Sequence, residues 1–156
     1  MTIAAILGID VTAQSTTPEF VPGSLGAVTD SNGTKLYKYL KYDDASAGVS
    51  GVAGEVAYYH TLDGYKLHTC TSDLSDSIEI GAGVIQATIA TETYGWFQIK
   101  GAATLSIALT AGADGDPLTP TGAGDGTLDV SGAVTDNICA IAGDISDKEI
   151  ICDFPM

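Results

Sequence analysis

The chain has no arginine, and its six lysines stand against twenty aspartates and glutamates, giving a formal net charge of −14. Nucleic-acid binding needs neutralised phosphates and attachment to an anionic leaflet needs a polybasic cluster, so neither a nucleic acid nor a membrane is an expected partner. The acidity favours solubility through self-repulsion, or a partner with a basic surface. Only two histidines, His60 and His68, are available for proton transfer near neutral pH. The three cysteines, Cys70, Cys139 and Cys152, lack the close paired spacing of a zinc or redox motif. Buried, reduced thiols are therefore expected, with Cys139 and Cys152 able to meet if their strands are neighbours. No apolar run is long enough to cross a membrane as a helix, and the apolar opening MTIAAILGID has no positive residue before it. Synthesis in a cytoplasm and release without a classical signal are expected.

What is abundant points one way. Threonine, isoleucine and valine supply 41 residues, while 19 glycines interrupt almost every window in which a helix could grow. An all-β chain follows. At 156 residues the length suits one domain burying about 70% of its extended surface. Residues 1–23 read as an N-terminal arm or edge strand and residues 24–156 as a single β domain. Two prolines in TTPEFVPG, Thr16 to Gly23, hold the arm extended, with Phe20 and Val21 as its apolar contacts. Either a neighbour or the end of the chain's own barrel receives them.

The alternation GVIQATIATETYGWFQIKG, Gly83 to Gly101, predicts two half-buried strands. Ile85, Ala87 and Ile89 share one side of the first, and Phe97 and Ile99 one side of the second. Trp96 therefore points away from Phe97, toward a second layer of the fold or a partner. Ala103 to Thr110 alternates as well and predicts a third strand of a meander. Upstream, Asn32-Gly33 between two strand-like runs predicts a hairpin. Lys35, Lys38 and Lys41 on its second strand suggest edge protection or a basic docking strip. EVAYYH and YKLHTC are expected to pair through Asp63-Gly64. A two-residue turn there separates the histidines and a three-residue loop puts them side by side. Ser72 to Gly83 reads as an acidic connection, with Ser75 or Asp76 capping one turn. Three further short strands fall in TLDV, NICAIA (137–142) and KEIICDF (148–154). Short strands at this spacing predict a compact antiparallel β-barrel or β-sandwich.

Chemistry-bearing patterns are scarce. The stretch 111–126 sets Asp114, Asp116 and Asp125 among glycines without the ligand spacing of a calcium loop, so turn chemistry is the simpler explanation. There is no nucleophile elbow, phosphate loop or dinucleotide fingerprint. No enzyme activity, metal or cofactor is expected.

PGSLGAVTDSNGTKLYKYLKY, a small-residue loop, GEVAYY and then GVIQATIATETYGWFQIKG resemble the order of features in capsid decoration (cement) and head structural proteins of tailed phages. The resemblance spans about Pro22 to Phe154. It implies a β body, usually oligomeric and often a homotrimer, seated on the outer surface of the virion over joints between major capsid proteins. It carries no catalytic residues over. In that role Phe20, Val21 and Trp96 are the apolar anchors expected at an interface. The alternative is a tail- or fibre-associated module recognising a host surface glycan, with Tyr58, Tyr59 or Trp96 as stacking platforms. A secreted adhesin-like β-sandwich is a third.

Overall fold

The computed structural model describes residues 5–44, 48–63 and 66–156. Eleven strands form one hydrogen-bonded system: β1 (Ala5–Leu7), β2 (Leu25–Asp30), β3 (Gly33–Tyr42), β4 (Val56–His60), β5 (Thr69–Thr71), β6 (Ser77–Ile85), β7 (Thr93–Thr104), β8 (Pro117–Thr119), β9 (Asp129–Val130), β10 (Ala140–Asp144) and β11 (Glu149–Asp153). The order β3-β5-β4-β6-β7 returns to β3 and closes a five-stranded barrel, with the other strands outside it. Closure removes the free edges that an open sheet of these strands would carry. β2 and the parallel β1 extend from β3, and β11, β10, β8 and β9 extend from β7.

Alternation along the strands sorts the side chains into three cores. Leu40, Tyr42, Ala57, Tyr59, Cys70, Ala82, Ile85 and Phe97 come from all five barrel strands and fill the interior. A second core, with Tyr58, Val84, Ile99, Leu118, Ile150 and Phe154, joins the barrel wall to the β8–β11 extension. The third is small and aromatic: Tyr37, Tyr39 and Trp96 on the outer face of β3 and β7, covered by Ile9, Val11 and Phe20 of the arm.

The predicted hairpin is present, with Asp30 opposite Gly33. The predicted meander is not. β6 ends at Ile85, and the segment expected to be an acidic connection supplies most of it. Its glycines explain the placement: a Cβ on Gly81 would lie 2.6 Å from the Phe154 ring, and one on Gly83 would lie 2.9 Å from the Gln98 carbonyl oxygen. The short turn before β6, Leu74–Asp76, is capped by Asp73, whose carboxylate accepts from Ser75 N at 2.8 Å; neither Ser75 nor Asp76 is the cap. β7 does not break after Lys100 but runs on to Thr104, turning at Gly101 with φ +94°. Its partners change at that bend, from β3 and β6 to β11. Residues 105–110 lie outside the strands and hydrogen-bond elsewhere, Leu105 N to Lys148 O and Thr110 N to Leu128 O.

Candidate functional site

β3 is an interior strand, paired with β2, β5 and β7, so its lysines guard no edge. Nor do they form one strip. Residues 35 and 41 share parity along the strand and 38 does not. Lys35 pairs with Asp30 at 3.3 Å, and Lys41 with Asp43 at 3.2 Å and Glu92 at 2.6 Å. Lys38 is buried, its Nζ donating to the Tyr59 hydroxyl at 2.8 Å. Burial holds its pKa below the ordinary 10.5, because desolvation disfavours the charged form.

The structure brings two of the three expected aromatic and apolar anchors together. The Phe20 ring lies 5.2 Å from Trp96 and 5.3 Å from Tyr39 between centroids. The arm is fastened around this contact by Ser15 and Tyr94, which exchange backbone hydrogen bonds of 3.1 and 2.8 Å, and by Glu19 N donating to the Tyr39 hydroxyl at 3.2 Å. Trp96 is thereby covered by the chain's own arm, while Val21 beside Phe20 remains 76% exposed. Tyr58 and Tyr59 are fully buried, so the proposed glycan-stacking platforms are not at the surface.

The histidines do not combine. Tyr59 lies opposite Cys70 in the β4–β5 ladder, a register that neither the two-residue nor the three-residue turn produces. Gly64 of the expected Asp63-Gly64 turn lies outside the described residues. His60 Nδ1 accepts from Leu62 N at 2.9 Å, and its buried Nε2 has no partner among the described residues. Across the described residues no three His, Cys, Asp or Glu are grouped to hold a metal. In the 111–126 stretch the acids serve the backbone. Asp116 accepts from Ala113 N at 2.8 Å, Asp114 from Ile145 N at 3.0 Å, and Asp125 from Leu74 N at 3.0 Å. The stretch also contains β8, which its turn-rich composition concealed.

The exposed surface carries one ordered apolar feature that sequence reading missed. The strand register sets Ala102 of β7, Ile151 of β11, Ile141 of β10 and Pro117 of β8 in a single cross-strand row. Ile141 and Ile151 are each 47% exposed, and Val134 and Ile138 join Pro117 in an adjoining shallow groove. Asp153, paired with Lys100, flanks the row on one side, and Glu149, opposite Thr104, on the other. Asp136 lies in the groove. Its carboxylate accepts from Ala133 N, Gly132 N and the Ser131 hydroxyl, which hold its pKa below the ordinary value.

Fold and surface together define a closed β-barrel with a clasped arm and a satellite sheet that presents an apolar row in acidic surroundings. Comparison with protein families, with curated proteins and with solved structures finds no match for this chain.

Proposed function

We propose that the chain is a virion structural protein, a capsid decoration (cement) protein that binds the outer surface of a phage head and braces contacts between major capsid proteins. The observation that supports it best is the row Ala102–Ile151–Ile141–Pro117. Apolar side chains in register on four rigid strands offer a preorganised docking face, and binding to it costs little ordering entropy. The carboxylates around it select a shell surface with an apolar centre and a basic rim, and the net charge of −14 opposes stacking of this face on a second copy. Exposed Val21 extends the apolar contact from the arm, and assembly as a homotrimer multiplies weak contacts over many copies. No chemical step is part of this function.

The test uses expanded shells that lack the protein. Added protein should bind saturably and raise the temperature at which the shells rupture. Ile141→Glu and Ile151→Glu should abolish both effects and leave the circular dichroism of the free protein unchanged. Failure to bind any shell, together with binding to cells or glycans, would replace this function with that of a fibre-associated module.

A further inference from the structure

A groove of about 290 Å³ opens where β7 leaves the barrel, bordered by the hairpin turn at Asn32, Lys35 of β3, Gln86 after β6, Gln98 and Thr104 of β7, and Glu149 of β11. Gly101 makes it. A side chain there would sit 3.0 Å from Lys35 Cγ in a left-handed backbone conformation, so only glycine lets β7 swing away from β3 toward β11.

Gln98 spans this bend. Its Nε2 donates to Ala102 O at 2.9 Å and to Lys100 O at 3.2 Å, which fixes the amide orientation and uses its donors on the strand's own carbonyls. The residue is only 3% exposed, yet no described group donates to its Oε1. That oxygen is not sealed away, since His60 Nε2 is the one buried side-chain atom without a partner among the described residues. Gln98 is one of the residues that line the groove. Gln86 repeats the arrangement: Nε2 donates to Val84 O at 2.8 Å, leaving its Oε1 as an acceptor. Two glutamines thus present carbonyl oxygens whose orientation is already set.

We propose that this groove binds a neutral sugar unit. Its ligand must bring hydrogen-bond donors, because the oriented amides present acceptors, and Glu149 adds more. Glu149 opposes an anion, and because Asp30 offsets Lys35 a cationic donor is the competing class, which competition by ethanolamine separates. Hydroxyl groups meet these conditions without carrying charge. The volume lies at the lower end of the roughly 300–1,000 Å³ typical of ligand pockets, which suits one or two sugar rings. None of the residues lining the groove is aromatic, so a sugar there would be held by hydrogen bonds rather than by ring stacking.

The test is an NMR titration of the ¹⁵N-labelled full chain with galactose, N-acetylglucosamine and lactose, following the side-chain amides of Asn32, Gln86 and Gln98. Saturable shifts confined to these signals and their strand neighbours are expected for at least one sugar. Gln98→Met should weaken that binding by about tenfold or more. Gln86→Met, at a half-buried position beyond the end of β6, should weaken it while leaving the backbone spectrum in place, which separates loss of an acceptor from loss of the fold. The proposal is overturned if no sugar shifts these amides, if the shifts survive both substitutions, or if inorganic phosphate or ethanolamine displaces the sugar from the groove. Shell binding is measured separately, so either result leaves the decoration function to its own test.

Discussion

Lys38 Nζ donates to the Tyr59 hydroxyl at 2.8 Å and lies 5.0 Å from the centre of the same ring, on a residue only 5% exposed. A hydroxyl and a ring face replace little of the hydration that an ammonium loses on burial. Lys38→Met, close in length and apolar, is therefore expected to stabilise the protein by about 1–2 kcal/mol at neutral pH in urea unfolding. The pH dependence has a definite sign. Because the folded pKa is depressed, the unfolded chain holds this proton more strongly, and stability rises with pH between the folded value and 10.5. The advantage of Lys38→Met should be full below that window and fade as pH approaches 10.5. An advantage that grows with pH would contradict the buried cation.

Phe20→Ala should loosen the arm. Phe20 is half-buried against Trp96 and Tyr39, so a loss of about 1–2 kcal/mol is expected, below that of a fully buried phenylalanine. Trp96 is the only tryptophan, and its fluorescence reports the contact directly. Its emission should shift to the red in Phe20→Ala before any global unfolding. An unchanged spectrum would mean that something other than Phe20 shields the indole.

Tyr58→Phe removes one oxygen and should cost about 1–3 kcal/mol. The Tyr58 hydroxyl accepts from Thr127 N at 2.9 Å and donates to the Thr127 carbonyl, with the Gly124 carbonyl 3.0 Å away. Phenylalanine keeps the ring in the second core but strands buried backbone groups of the 120–128 segment. Urea midpoints compare the two proteins, and amide exchange at Thr127 should accelerate most.

The thiols should be silent in the folded protein. All three cysteines are buried and none is in a disulfide. Burial pushes the Cys152 thiol up to about 12 and the Cys139 thiol upward as well, so neither supplies thiolate at neutral pH. A disulfide-exchange reagent should find no reactive thiol in buffer and three in denaturant. Rapid native reaction at any of them would show that its core opens.

Local signals carried a good part of the fold. Asn32-Gly33 marked the hairpin, although the turn itself is made by Ser31 and Asn32 with Gly33, at φ +104°, opposite Asp30, and the two-residue period placed Trp96 and Phe97 on opposite faces. The same period, applied to Lys35, Lys38 and Lys41, separates the middle lysine from the other two. Strand ends were less legible, because Gly101 continues β7 through a bend that in isolation reads as a stop. The docking row and the groove were not legible at all. Ala102, Pro117, Ile141 and Ile151 are spread over 50 residues and become neighbours only through register. Gln98 was visible merely as a polar residue facing away from Phe97.

By itself the sequence determined the all-β class, the acidic surface and the opposite sides on which Trp96 and Phe97 lie, because these follow from composition, charge and a backbone period of two. Which of those sides is covered was decided by tertiary structure. Trp96 is enclosed because residues 9–20 return over β3 and β7, and Lys38 is buried because β3 is an interior strand rather than an edge. Ile141 and Ile151 stay open because no described element packs over that face of β10 and β11. Alternation fixes direction locally, whereas burial depends on what distant parts of the chain bring to each face.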